Sequence, residues 1–191
     1  MNRGLPAFNI VGMANKTINE AKDRVRSALV NSEFSFPDKK VTISLAPAEL
    51  QKDGAYLDLP IALNVLVLSG QLLKSDVKER LFVGELSLDG TIRAVKGIIN
   101  IVEVAKEAGF RELFVPKANL AQASLISGPT IYGVGTLQEL FLFLKNQANL
   151  MIGDYKMQSR ANNNVNAVLF DHILGQKLAK KIGRASCRER V

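Results

Sequence analysis

Tryptophan is absent from this 191-residue chain, and cysteine and histidine occur once each. A single cysteine cannot build a disulfide framework. A single histidine, with no C-x-x-C and no H-E-x-x-H, leaves no metal site of the usual kinds. No apolar run approaches the roughly 20 residues that span a bilayer. No basic-then-apolar opening marks an export signal. The expectation is a cytoplasmic protein with no membrane partner. There is no G-x-x-x-x-G-K-S/T loop to cradle nucleotide phosphates, and no G-x-S-x-G elbow to present a strained serine. A bound cofactor is therefore not expected within this chain.

What is present is a good core former. Apolar residues make up 47% of the chain, and the formal net charge is +7. A basic balance points toward nucleic-acid contact. Part of it sits in the last stretch, Ile182 to Val191, which has no apolar period. Back-translated with Lys181, that stretch resembles a sequencing adapter read in frame, and it is set aside as scars are. Without its three arginines and one glutamate the net charge is +5, and Cys187 leaves with it.

Periodicity places the elements. Phe8, Ile10 and Val11 predict a strand ending at Gly12. Thr17 and Glu20 form a capping box, in which each side chain satisfies a free backbone N–H. Ile18, Ala21, Val25, Ala28 and Leu29 then fall on one helical face, with Lys22, Asp23, Arg24 and Arg26 on the solvated side. Val41, Ile43 and Leu45 alternate with polar residues as a half-buried strand does. Asp58 is expected to cap a helix whose apolar run, Leu59 to Leu68, should be buried. Pro60 fits its first turn, where a missing N–H costs nothing.

A strand from Leu81 to Leu88 should turn at Asp89-Gly90, with both turn residues at positive φ, into a partner from Thr91 to Val95. A helix from Gly97 to Ala108, a strand from Leu113 to Val115, a short helix from Leu120 to Ile126 and a strand from Thr130 to Tyr132 follow. Thr136 and Glu139 form a second capping box before the helix Leu137 to Lys145. The expected division is a domain over 1–146 and a polar linker over 147–167. An apolar island over 168–181 and the tail over 182–191 complete it. His172, beside Asp171, has no nucleophile near it in sequence and reads as a surface histidine. Alternating strands and helices with one hairpin predict a mixed α/β sandwich rather than a purely parallel doubly wound sheet.

Three segments carry a resemblance. They are GLPAFNIVGMANKTINEAKDRVRSAL from Gly4, VTISLAPAELQKDGAYLDLPIAL from Val41, and LFVGELSLDGTIRAVKGIINIVEVAKEAGFRELFVP from Leu81. In order, spacing and wording they resemble the N-terminal domain of the YifB/ComM family, the magnesium-chelatase-like AAA+ ATPases. The resemblance implies a Lon-protease-like fold, of the kind seen in ribosomal protein S5 domain 2. Phe170, Asp171, Ile173, Gly175, Gln176 and Ala179 resemble the entry to an AAA+ module, whose phosphate loop would follow. Family members carry an opening strand ahead of the G-L-P, for which Met1-Asn2-Arg3 leaves no room.

Lon-type peptidases use a serine whose proton a lysine abstracts, so both must be present. In the D-G-P-S-A-G pattern, aligned on Asp53-Gly54, Tyr56 stands where the serine would be. Counting on from Gly84-Glu85 puts Ile99 at the lysine position. Neither a phenol nor an alkane performs that exchange, so no catalytic residue is expected. Ser87 and Lys96 are the one rearranged pair nearby. The resemblance thus implies a non-catalytic domain of a hexameric motor that acts on DNA, by helicase or branch-migration activity, during natural transformation. ATP and magnesium would be held by the AAA+ module, its partner in the parent protein. The alternatives are a Lon-like peptidase with displaced residues and a magnesium-chelatase-related ATPase subunit. For DNA contact the candidates are Lys39, Lys40, Arg93 and Lys96.

Overall fold

The computed structural model describes residues 7–12, 16–46 and 55–154, with backbone alone at 16–19. The apolar island, His172 and the adapter-like tail lie outside the described residues, as do Asp53 and Gly54. The fold is mixed α/β.

The opening strand β1 (Ala7–Val11) pairs in parallel with β2 (Lys40–Ser44), Phe8 opposite Val41 and Ile10 opposite Ile43. Between them runs α1 (Lys16–Asn31). Ala21, Val25, Ala28 and Leu29 of α1 are buried, as the helical spacing predicts. The helix already includes Lys16, so Thr17 falls inside its first turn; the Thr17 side chain lies outside the described residues. A 3-10 turn, Ala55–Leu57, leads into α2 (Asp58–Leu68). This helix buries Leu59, Ile61, Ala62, Leu63, Val65 and Leu66, in keeping with a run apolar nearly all round.

After the short α3 (Lys74–Val77) come the strands of the main sheet. They are β3 (Arg80–Phe82), β6 (Glu112–Pro116), β7 (Thr130–Val134) and β8 (Met151–Ile152), hydrogen-bonded in that order. The first three are mutually parallel and β8 is antiparallel to β7. Parallel neighbours need crossovers, and α4 (Ile98–Glu107) and α5 (Leu120–Ala123) supply them. The last helix, α6 (Leu137–Leu144), follows β7.

Side chains alternate across this sheet, and each face has its own core. Leu113, Val115 and Ile131 pack with Ile98, Val102 and Ala105 of α4 and with Leu120 and Ala123 of α5. Phe82, Phe114 and Tyr132 point the other way and stack, with centroids 4.8 Å and 4.9 Å apart. That face meets α1, α2 and α6 through Leu29, Leu66, Leu137 and Leu140. A strand buried on both faces reads as a continuous apolar run, which is why ELFVP of β6 shows no alternation in its sequence.

Three readings change. The stretch Leu81–Leu88 is two strands rather than one: β3 joins the main sheet, whereas β4 (Glu85–Leu86) pairs only with β5 (Ile92–Arg93). The break falls at Gly84, where a Cβ would sit 2.7 Å from Ile92 Cγ2 and 3.3 Å from Leu59 Cδ2. The hairpin turn is also different. Gly90 alone has positive φ, 84°, and its N–H donates to Ser87 O at 3.0 Å while Ser87 N–H donates to Thr91 O at 2.9 Å. This is the three-residue turn with a glycine bulge, in which only the third residue is left-handed. Finally, ordered structure continues past Asn146, because β8 lies in the stretch assigned to the linker and forms the edge of the main sheet.

Candidate functional site

The dyad positions of the Lon-like pattern lie on different elements. Tyr56 sits in the 3-10 turn before α2, its ring half-buried against the core on the α4 side of the sheet. Its carbonyl accepts from Gly84 N–H at 3.1 Å, and Gly84 O accepts from Leu59 N–H at 3.1 Å. These two bonds strap the start of α2 to the gap between β3 and β4. Ile99 lies in the first turn of α4, 38% exposed. The rearranged pair does not assemble. Ser87 Oγ accepts from the Arg93 guanidinium, and the exposed Lys96 makes no hydrogen bond or ion pair among the described residues. Proton abstraction by an amine needs it within hydrogen-bond reach of the hydroxyl.

The strongest electrostatic feature is one that sequence reasoning missed. Asp58 was expected as a helix cap, yet it is the first residue inside α2 and Leu57 holds the cap position. Asp58 is fully buried and accepts from Arg24 Nε at 2.8 Å, Arg24 Nη2 at 3.0 Å and Leu86 N–H at 3.2 Å. One carboxylate thereby joins α1, α2 and β4. Arg24, assigned to the solvated side of α1, is only 19% exposed and is the charged partner. Burial pushes the Asp58 carboxyl up from its ordinary value, against the pull of the Arg24 fork and the Leu86 N–H, while Glu85 pushes the same way as burial. The hydrogen bond to Asp58 raises the Arg24 guanidinium in turn. A signal existed: a lone aspartate inside YLDLPIAL, with no polar neighbour, needs a counter-charge if it is buried.

Asn119 was missed as well. Buried at 4% exposure, it accepts from Val95 N–H at 2.8 Å and donates to Val95 O at 3.1 Å. It thus pins the loop that carries Lys96. The N-terminus of α6 is closer to expectation. Thr136 accepts from Glu139 N–H at 3.1 Å, but the Glu139 carboxylate reaches one residue further back, to Gly135 N–H at 2.7 Å.

The four DNA-contact candidates form two separate pairs. Lys39 and Lys40 stand at the entry to β2, and both are exposed. Arg93 ends β5, opposite Glu85 in the hairpin register, and Lys96 follows in the turn before α4. A further open cleft of about 800 Å³ is lined by Lys78, Arg80 and Arg111, with Glu79 and Glu112 among them. There Lys78 pairs with Glu79 at 3.1 Å and Arg80 with Glu112 at 2.7 Å. Among the described residues no three acidic, histidine or cysteine side chains gather as a metal site would require. None of the described helices is long and apolar enough to cross a membrane. The sequence holds no G-x-x-x-x-G-K-S/T motif, the loop type that cradles nucleotide phosphates.

Comparison with known proteins gives a consistent set of likenesses. Residues 1–119 match the family described as subunit ChlI of Mg-chelatase. The chain is 40% identical over 183 residues to competence protein ComM of Haemophilus influenzae, covering 95% of the chain and 36% of that protein. It is 42% identical over 147 residues to the uncharacterized protein YifB of Escherichia coli, covering 77% of the chain and 29% of that protein. It is 26% identical over 145 residues to the archaeal Lon protease of Methanocaldococcus jannaschii, covering 73% of the chain and 22% of that protein. The chain therefore spans about a third of the length of the ComM and YifB relatives.

Proposed function

The chain belongs to the magnesium-chelatase ChlI family, and from that premise we propose that it is the non-catalytic N-terminal domain of a ComM/YifB-like AAA+ ATPase that handles DNA. The observation that carries this reading is the 40% identity to ComM along 95% of the chain. Tyr56 and Ile99 at the Lon dyad positions support a scaffold or binding role over peptide hydrolysis. Ser87, held by Arg93 and not by an amine, counts against a displaced dyad. In the whole protein the AAA+ module holds ATP and magnesium, the assembly is a hexamer in the cytoplasm, and the motor moves DNA strands during natural transformation.

The test is DNA affinity as a function of salt. Phosphate contacts release counterions, so affinity falls steeply as salt rises. The chain should bind fluorescein-labelled DNA in low salt, by anisotropy, and release it near physiological ionic strength. Failure to bind either single-stranded or duplex DNA in low salt would overturn the reading.

A further inference from the structure

Among the described residues β2 pairs only with β1, so its far edge is open. Just beyond β2, Leu45 N–H donates to Val11 O at 2.8 Å. Alternate residues of a strand turn their backbone groups to opposite sides, so Val41, Ile43 and Leu45 bond β1. The N–H and C=O groups of Lys40, Thr42 and Ser44 then face away from β1, and they have no hydrogen-bond partner among the described residues. A groove of about 330 Å³ is lined by Thr42 and Ser44 of β2 and by Leu57, Ile61, Asn64 and Leu68 of α2 and the turn before it. Val41 is buried and Ile43 packs on the core that α2 shares, whereas the side chains of Lys40, Thr42 and Ser44 are exposed on the opposite face of the sheet. It is therefore the edge-facing backbone of Thr42 and Ser44 that meets the groove. Leu68 is 46% exposed there. Lys40 enters no ion pair among the described residues.

We propose that this edge binds an extended segment of another polypeptide, which adds to β2 as a further strand. An open strand edge is a template for pairing. Main-chain hydrogen bonds supply the affinity and alternate side chains the selectivity. Side chains of the added strand that point toward α2 meet Leu57, Ile61 and Leu68, and are apolar. Those on the other face stand beside Lys40, Thr42 and Ser44, where a carboxylate opposite Lys40 makes a cross-strand pair of opposite charge. The occupant is a peptide in which apolar and acidic residues alternate. Phosphates only accept hydrogen bonds, so a nucleic acid would leave the Thr42 and Ser44 carbonyls unmatched, whereas a peptide backbone matches donors and acceptors alike. This site goes beyond the DNA reading and does not depend on it.

The experiment uses the full chain and a fluorescein-labelled peptide of alternating valine and glutamate, read by anisotropy. Two further peptides carry N-methyl groups, one on every valine and the other on every glutamate. Only one set of amides in an added strand faces β2. One methylated peptide should therefore bind like the parent, and the other should lose affinity by at least about tenfold, the scale of a lost hydrogen bond. Thr42→Pro removes one edge-facing N–H without touching the ladder to β1, a position where a strand accepts proline. It should keep its melting temperature and weaken the peptide on the order of tenfold. The methylated peptides keep the test independent of whether that variant folds. Lys40→Glu should weaken the valine–glutamate peptide and strengthen one of valine and lysine, while Lys117→Glu, at an exposed lysine elsewhere, should do neither. Equal binding by both methylated peptides, or no peptide binding by the unaltered chain, would overturn the strand-addition site. A dimer that Thr42→Pro dissociates, in size-exclusion chromatography, would overturn it too, because the edge would then belong to a second copy.

Discussion

At the scale of single residues, the Arg24–Asp58 pair has the most to lose. Breaking a buried pair by removing one partner leaves an uncompensated charge and costs about 3–5 kcal/mol. Arg24 keeps some solvent access, so Arg24→Ala should cost about 3 kcal/mol, the lower end of that range. Asp58→Asn should cost less. Its amide oxygen still accepts from Leu86 N–H, and Arg24 can turn toward Glu20, now 3.9 Å away. Denaturant unfolding of the two variants checks the order, and equal losses would contradict it. The pH dependence has a definite sign. A carboxyl raised in the folded state contributes stability that is present below its ordinary value of 3.8 and lost as pH rises through the raised value. Without Arg24 the rise is larger, so the deficit of Arg24→Ala should shrink on acidification.

Asp76 has the opposite sign. Burial raises its carboxyl, but the Leu73 N–H, the Lys145 amine and the Ser75 hydroxyl together bring it below its ordinary value. Its ionised form stabilises the fold above 3.8, and that contribution is lost as pH falls through the lowered value. The contact with Lys145, 3.3 Å away, ties α3 to the end of α6. Asp76→Asn should therefore lower the melting temperature at neutral pH and give a shallower decline in acid than the parent. A parallel decline would show that Asp76 titrates alike in both states.

At the scale of elements, ends and crossings decide more than interiors. Thr136 holds the N-terminus of α6 with one side-chain bond, so Thr136→Ala should cost about 1 kcal/mol. Gly84→Ala should cost about 1–3 kcal/mol, the range for forcing extra volume into a packed site. Its Cβ would press on Ile92 and Leu59, which join the hairpin to α2. Thermal melts of both variants measure this, and a neutral Gly84→Ala would mean that β4 and β5 can shift without loss. These crossings also show what sequence reading could and could not see. The helical stripe of α1 and the apolar run of α2 were legible because periodicity is local. The split between β3 and β4 was not, because Val83 and Gly84 are as apolar or as small as a strand interior allows. What divides them is which neighbour each half hydrogen-bonds, β6 or β5, and that is a long-range choice.

At the scale of the molecule, catalysis is a question of convergence. Peptide hydrolysis by a serine–lysine pair needs hydroxyl and amine within hydrogen-bond reach. Ile99 offers no amine and Tyr56 only a phenol in place of the serine hydroxyl, and the Ser87 hydroxyl is engaged by Arg93. The chain should release no fluorescence from labelled casein above background. Turnover that disappears in Lys96→Ala would reverse that conclusion.

The sequence by itself determined the mixed α/β class and the elements with clear period. Each of these depends on residue identity or on spacing within one stretch. Tertiary structure alone decided the rest. It brought Arg24 to Asp58 across 34 positions, turned Phe82, Phe114 and Tyr132 to one face of the sheet, and set Phe36 between Phe8 and Arg26. It also left Lys39 and Lys40 exposed at the entry to β2 while the hairpin engaged Arg93. The physical reason is common to all of them. A side chain's partner is fixed by the cost of leaving its charge or apolar surface unmatched, and that cost depends on which distant segment the fold places against it.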